Sequence, residues 1–183
     1  MRIFIGIEIP QNLKDKIKKN IRFLEKKYKS FRWINQENYH ITLVFLGDIN
    51  PQKLPKIRSR VQKASFNTTP FYLFSSSLSV FPNRTLILHV RFQREKKLEN
   101  LVNNLQKELQ DYLKNTPQRE FVPHITISRA KKPSKQQYLV LKKLLEKTNI
   151  PFEFKVDHLY LYSSTLTPHG SIYKKLAKIR LNP

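Results

Sequence analysis

The chain has 183 residues but no cysteine, only three glycines, and 13 acidic residues against 35 lysines and arginines. Without cysteine it forms no disulfide and holds neither a thiolate zinc site nor a cysteine nucleophile. No apolar run approaches the length of a membrane span, and the N-terminal MRIFIGIEIP alternates like a strand and lacks a signal-peptide cleavage site. No linker rich in Gly or Ser divides the chain. We therefore expect a cytoplasmic protein with no membrane contact, folded as one domain over residues 1–183.

The second feature is an excess of positive charge, a formal net of +22 with a pI near 10.3. Such a field attracts polyanions and favours nucleic acid as a partner. The charges are spread along the chain, so a lysine-rich but otherwise ordinary surface is the alternative interpretation. Charge alone identifies no reaction.

The hydrophobic pattern divides the chain into two halves with a similar order of elements. The first half predicts a strand over 3–9, a helix over 13–28, a polar connector over 31–39, a strand from 40 to 47, a helix from 51, and strands over 71–80 and 85–92 joined by a turn at 81–84. The second half predicts a helix over 98–113, a connector at 116–118, a strand over 121–128, a helix capped by Ser134 and Gln137, and closing strands over 152–162 and 172–179. This order predicts an α+β fold.

The tripeptide His-Ile-Thr occurs twice, at 40–42 and 124–126, and each copy opens an apolar, β-branched run. Residues two apart in a strand point to the same face, so each copy presents an imidazole beside a hydroxyl. Side by side, the strands would surround one point with His40, Thr42, His124 and Thr126. This set suits in-line displacement at a phosphate: one imidazole activates water, the other protonates the departing oxygen, and the hydroxyls bind the non-bridging oxygens. The scheme requires neither metal nor cofactor.

Simpler interpretations exist for every histidine. One His-x-Thr at the start of a strand is most often structural, and only the pair favours catalysis. His89 lies inside the apolar run LILHV and is interpreted as structural, His158 has Asp157 and Tyr160 beside it, and His169 belongs to a polar turn. Neither motif histidine has a carboxylate or a second histidine at metal-ligand spacing.

Five segments resemble the 2H phosphoesterases, and within them the bacterial and archaeal RNA 2′,3′-cyclic phosphodiesterases, also called 2′-5′ RNA ligases. They are RIFIGIEIP, RWINQENYHITLVFLGDI, the FPN turn at 81–83, FVPHITISRA and LYLYSSTLTPHGSIYKKL. Their order and spacing agree with the family along nearly the whole chain.

The resemblance implies a bilobal α+β fold in which two pseudo-symmetric lobes, each with an antiparallel sheet, face a central cleft and carry helices outside. One His-x-Thr motif would enter the cleft from each lobe. Family members open a terminal 2′,3′-cyclic phosphate on RNA to a 2′-phosphate and a 3′-hydroxyl, and related enzymes join RNA ends in reverse. By likeness, His40 would be the general acid and His124 the general base. Pseudo-symmetry also permits the reverse assignment.

Family members often carry an aromatic five residues after the first histidine and an arginine five after the second, which here are Phe45 and Arg129. Together they would clamp the terminal base. Strict strand alternation turns both away from the histidine face, so the clamp needs a bulge, twist or strand end near Leu43 or Ile127. Core packing is the alternative for Phe45. Residues predicted at the edge of the cleft are Arg32, Trp33, Ser163, Ser164 and Tyr173.

The implied partners are RNA ends bearing a 2′,3′-cyclic phosphate, with tRNA fragments among them, and the implied state is a monomer without cofactor. Two alternatives remain open from the sequence. One is a non-catalytic module that binds RNA ends, and the other is a phosphodiesterase acting on 2′-5′ oligoadenylate or another small cyclic nucleotide. The direction that matters in the cell, hydrolysis or ligation, also remains open.

Overall fold

A computed structural model describes residues 1–82, 85–113, 120–131, 134–168 and 170–182, and the side chain of Pro82 is not among the described parts. The end of the predicted FPN turn at Asn83, the connector at 116–118 and His169 lie outside the described residues.

The described residues form nine strands and four α-helices. The strands are β1 (Arg2–Glu8), β2 (Arg32–Trp33), β3 (His40–Asp48), β4 (Phe71–Pro82), β5 (Thr85–Phe92), β6 (His124–Lys131), β7 (Glu153–Val156), β8 (His158–Thr167) and β9 (Gly170–Arg180). The helices are α1 (Gln11–Lys27), α2 (Leu54–Ser65), α3 (Lys96–Glu108) and α4 (Lys135–Glu146), with short 3₁₀ turns at Gln36–Asn38, Pro51–Lys53 and Gln110–Tyr112.

Local sequence signals explain where these elements begin and end. Helix α1 starts directly after Pro10, whose carbonyl accepts hydrogen bonds from the backbone N–H groups of Leu13 and Lys14. Helix α4 carries the predicted capping box, because the Ser134 hydroxyl accepts from the Gln137 N–H while the Gln137 side chain accepts from the Ser134 N–H. The predicted capping box is confirmed.

The strands pair antiparallel in the order β7-β4-β5-β6-β3-β1-β8-β9, with β2 added to β6. One lobe holds β9, β8, β1 and β3, and the other holds β6, β5, β4 and β7. The lobes join through one Cα pair, Ile41 with Ile125. The predicted α+β fold with two lobes is confirmed, with the refinement that the two sheets meet at this pair and are continuous.

Two predicted segments differ from the structure. The connector over 31–39 contains the two-residue strand β2, too short to show a period in the sequence. The strand predicted over 152–162 is broken at Asp157, because β7 pairs with β4 in one lobe while β8 pairs with β1 in the other. The chain therefore changes lobes at Asp157, whose carbonyl accepts a hydrogen bond from the N–H of Leu181.

The main core lies between the helices and one face of the sheet. In β1 the alternating Ile3, Ile5 and Ile7 enter this core together with Ile17 and Ile21 of α1. The residues between them on β1 point to the opposite face, which stays open as the cleft. Within the described residues, no helix is both long and apolar enough to cross a membrane.

Candidate active site

The two His-x-Thr motifs meet at the junction of the lobes. His40 and His124 are the first residues of β3 and β6, and the Ile41–Ile125 pair lies between them in antiparallel register. This register sets His40 on the side of Thr126 and Thr42 on the side of His124. All four side chains line one cleft of about 1100 Å³.

Backbone carbonyls set the tautomer of both imidazoles. His40 Nδ1 lies 2.7 Å from the carbonyl oxygen of Asn38, and His124 Nδ1 lies 2.8 Å from that of Val122. Because a carbonyl only accepts, Nδ1 carries the proton in each ring and Nε2 is the nitrogen free to exchange one. The Thr42 hydroxyl, 2.9 Å from His40 Nε2, donates to it.

Aromatic rings surround His40. The Phe4 ring lies 4.9 Å from the imidazole centroid, and the Tyr173 ring meets it edge-on at 5.0 Å. Phe4 is itself stacked on Tyr162 at 4.8 Å. Gly6 lies beside these two rings, and the close approach at this position is to the backbone, because a Cβ there would lie 2.9 Å from the Ile41 carbonyl oxygen. The orientation of His40 is thus held by packing and by a hydrogen bond.

His124 has a corresponding support in the other lobe. Phe81 meets it edge-on at 5.0 Å, and His89 meets it at 5.4 Å with an interplanar angle of 71°. Phe81 and His89 are stacked on each other at 4.0 Å. Sequence reasoning interpreted His89 as structural, which agrees with its burial, but did not place it against His124.

Burial favours the neutral form of both motif histidines. Burial lowers the pKa of His40 to about 4; the hydrogen bond to Asn38 opposes this, while the charges of His124, Lys14 and Arg129 add to it. The pKa of His124 is also lowered, chiefly by burial and further by Arg129. A bound anion would oppose these effects, because negative charge beside an imidazole favours its protonated form.

Phe45 and Arg129 point into the cleft because each strand contains a register shift. On β3, Val44 pairs with Ile5 and Thr42 with Gly6, which leaves Leu43 unpaired. On β6 a similar shift leaves Ile127, between Thr126 and Ser128, without a Cα partner on β5. These are the two positions where the sequence required an irregularity, and both side chains line the cleft.

The register places Phe45 and Arg129 on opposite sides of the Ile41–Ile125 pair, and their binding of one base stays a prediction. Since β3 and β6 run antiparallel, the two residues lie beyond the Ile41–Ile125 pair in opposite directions. Each lies four residues along its strand from the pair, which is roughly 13 Å of regular strand and less where the register shifts. Phe45 has the Arg2 guanidinium above its ring at 5.3 Å, whereas Arg129 pairs across strands with Arg32.

Lys14 is a cleft residue that sequence reasoning missed. It is 5% exposed, and its ammonium donates to the Glu37 carbonyl oxygen at 3.2 Å. The next carbonyl along the same 3₁₀ turn, that of Asn38, orients His40. A lysine on the apolar face of α1, between Leu13 and Ile17, was the available signal. No three His, Asp or Glu side chains gather as a metal site in the part of the chain described.

Comparison with known proteins supports the family resemblance. A family model described as the 2′-5′ RNA ligase superfamily matches residues 11–167. The RNA 2′,3′-cyclic phosphodiesterase of Methanocaldococcus jannaschii is 36% identical over 180 residues, covering 95% of this chain and 97% of that protein. The protein of the same name from Thermotoga maritima is 33% identical over 185 residues, covering 96% and 93%.

Solved structures share the fold at lower sequence identity. The structure of TT0787 from Thermus thermophilus aligns with a TM-score of 0.79 at 22% identity, over 99% of this chain and 98% of that one. The structure of E. coli LigT complexed with 3′-AMP aligns with a TM-score of 0.78 at 21% identity, over 100% and 98%. With the family model spanning most of its length and relatives above 30% identity along nearly all of it, the chain belongs to the 2′-5′ RNA ligase superfamily.

Proposed function

We propose that this protein hydrolyses 2′,3′-cyclic phosphate ends of RNA to a 2′-phosphate and a 3′-hydroxyl, without a metal ion. The observation that carries the proposal is the convergence of two His-x-Thr motifs, one from each lobe, on a single cleft. The names of the relatives in M. jannaschii and T. maritima support the same activity. We further propose that the protein acts as a cytoplasmic monomer on RNA ends, tRNA fragments included.

In the proposed reaction, water attacks phosphorus opposite the 3′-oxygen, and the bond from phosphorus to that oxygen breaks. His124 Nε2 takes the proton that water loses, and protonated His40 delivers one from Nε2 to the departing 3′-oxygen. The hydroxyls of Thr42 and Thr126 donate to the non-bridging oxygens as their charge grows. The negative phosphate of a bound substrate raises the pKa of the imidazoles above their values in the free protein, which makes a protonated His40 accessible near neutral pH.

The terminal nucleotide has two distinct surfaces to contact. The face of the Arg129 guanidinium suits stacking on an unpaired base, and the Phe45 ring offers a second aromatic contact further along the cleft. Because the register separates the two side chains, we assign them to different parts of the RNA. Arg129, beside the second motif, is the proposed contact for the terminal base.

The direct test incubates the protein with an oligoribonucleotide ending in a 2′,3′-cyclic phosphate, in the presence of chelator, and identifies the position of the phosphate in the product. We expect a 2′-phosphate. His40→Ala and His124→Ala should each lower kcat by several orders of magnitude, and Thr42→Val or Thr126→Val by roughly a hundredfold, the scale of one lost donor to a developing charge. Full activity of the double histidine variant would refute the mechanism.

The roles of acid and base are separated by a substrate with sulfur in place of the bridging 3′-oxygen. A thiolate leaves without protonation, because a thiol has a pKa near 8.5. This substrate should restore most of the activity of His40→Ala and little of that of His124→Ala. Rescue of His124→Ala instead would reverse the assignment.

A substrate panel distinguishes the alternative functions. A non-catalytic module would bind RNA ends with strong salt dependence and turn over none of them. An enzyme specific for 2′-5′ oligoadenylate or a small cyclic nucleotide would cleave that substrate and leave the RNA end intact. Addition of a 5′-hydroxyl RNA to the same reaction measures ligation.

A further inference from the structure

We propose that Arg32 and Arg129 together bind the phosphodiester that joins the terminal nucleotide to the rest of the RNA strand. The inference rests on the proposed function and names its substrate more closely: an RNA strand is preferred to a free cyclic mononucleotide.

The two arginines face each other across strands. Arg32 of β2 and Arg129 of β6 are antiparallel Cα partners, and both line the cleft. Cross-strand partners present their side chains on the same face, with Cβ atoms about 5 Å apart. The guanidinium of Arg32 also extends to the β8–β9 hairpin, where its Nη2 would lie 3.9 Å from a Cβ at Gly170.

No acidic group compensates these two charges among the residues that the structure describes. Arg129 has Ile87 as its other cross-strand neighbour, and neither arginine forms an ion pair with a described carboxylate. Two like charges directly opposite each other destabilise a strand pair. A bound anion would convert this repulsion into attraction, since planar guanidinium groups are suited to bidentate contact with phosphate.

Other cations of the cleft already have partners. Lys175 lies 2.7 Å from the Glu8 carboxylate, and Lys14 donates to a backbone carbonyl. Arg2 lies over the Phe45 ring and has Asp48 as its Cα partner on β3. Of the described cations of the cleft, Arg32 and Arg129 are the two that face each other across strands, where β2 meets β6, at the end of the cleft that follows Thr126.

The position of this pair selects the ligand. Arg129 is three residues beyond Thr126, and the register shift at Ile127 shortens the separation. A phosphodiester adjacent to the terminal nucleotide would reach the pair while the cyclic phosphate remains between the two histidines. A guanidinium has a face for stacking and an edge of N–H donors, so Arg129 can contact the terminal base and share the phosphate with Arg32.

The test compares a dinucleotide and a mononucleotide, each ending in a 2′,3′-cyclic phosphate. In Arg32→Met, the ratio of kcat/KM for the dinucleotide to that for the mononucleotide should fall about 10- to 100-fold, as expected for a lost hydrogen bond to a charged group. Arg32→Lys should recover part of the ratio. Arg22→Met, an exposed arginine of α1 outside the cleft, is the matched control and should leave the ratio unchanged.

A neutral linkage tests the same contact from the side of the ligand. Replacement of the internal phosphodiester by a methylphosphonate should lower the ratio in the wild-type protein and have little further effect in Arg32→Met. An unchanged ratio of kcat/KM in Arg32→Met would overturn the proposal. So would a methylphosphonate that lowers this ratio by the same factor in the wild-type protein and in Arg32→Met.

Binding of the two 2′-phosphate products, measured without turnover, separates this proposal from the proposed function. The wild-type protein could cleave neither substrate and still bind the dinucleotide product more tightly than the mononucleotide product, with Arg32→Met removing that difference. In that case only the proposed function fails. If both substrates are cleaved and Arg32→Met weakens binding of the two products equally, only the arginine site fails.

Discussion

Replacement of His89 by Phe should remove part of the acid sensitivity of this protein. His89 is 2% exposed, stacks on Phe81 at an interplanar angle of 16°, and donates from Nδ1 to the Ile87 carbonyl oxygen at 3.1 Å. Burial, with smaller contributions from the charges of His124 and Arg91, lowers its pKa to about 4. The folded protein therefore holds this imidazole neutral over a range where the unfolded chain protonates it.

The sign and size of the effect follow from linkage. As the pH falls below 6.5, the unfolded chain gains a proton at His89 that the folded protein does not accept until about pH 4, so stability is lost in that interval. The difference between the two pKa values corresponds to about 3 kcal/mol when the pH reaches 4. Phenylalanine retains an aromatic ring against Phe81 and has no proton to gain.

Urea unfolding at pH 7, 6, 5 and 4, followed by fluorescence of the single tryptophan, Trp33, measures the effect. The free energy of unfolding of the wild-type protein should fall by about 3 kcal/mol more than that of His89→Phe between pH 7 and 4. His89→Gln packs differently but also cannot gain a proton, so it should show the same pH dependence as His89→Phe. If the free energies of unfolding of the wild-type protein and His89→Phe differ by the same amount at every pH, the reasoning is refuted.

Three further outcomes are expected. Gly6→Ala should lower the free energy of unfolding by about 1–3 kcal/mol and should also lower kcat. The reason is that a Cβ at Gly6 would lie 2.9 Å from the carbonyl oxygen of Ile41, which stands between His40 and Thr42 on β3. Unchanged Tm and kcat would contradict this. Lys14→Met should raise the pKa of His40 and move one limb of the pH profile of kcat/KM to higher pH, whereas Lys16→Met should not. The pH maximum of kcat/KM should lie below 6.5, because both motif histidines have lowered pKa values in the free protein. The pH maximum of kcat should be higher, because bound phosphate raises these pKa values. Coincident maxima would contradict this prediction.

Sequence reasoning succeeded where a local rule determines the outcome. The alternation of isoleucines in β1, the capping box of α4 and the paired His-x-Thr strands each follow from spacing within a few residues. The conflict between strict alternation and the expected roles of Phe45 and Arg129 located two irregularities, near Leu43 and Ile127. The structure has a register shift at each of these positions.

The remaining features depend on contacts between segments distant in the chain. Phe4 lies against His40 because β1 pairs with β3, and His89 lies against His124 because β5 pairs with β6. The facing of Arg32 and Arg129 depends on β2, a strand of two residues that no period reveals. Strand pairing decides each of these contacts, and a single sequence does not specify it.

The two halves place equivalent backbone around each motif, and this restricts where the two histidines can differ. On β1, Glu8 pairs with His40 and Gly6 with Thr42; on β5, Arg91 pairs with His124 and His89 with Thr126. Both imidazoles donate from Nδ1 to a carbonyl two residues earlier, so the backbone gives them the same tautomer and the same reactive nitrogen. A division into acid and base must therefore come from the side chains around them, among them those opposite on β1 and β5. The residues on β1 and β5 differ in charge and in size. The first motif has opposite it Gly6 and the Glu8 carboxylate, which binds Lys175, whereas the second has the Arg91 guanidinium and the His89 imidazole. Substitutions that exchange the roles of the histidines should accordingly lie outside the two His-x-Thr tripeptides, among the side chains that surround the imidazoles.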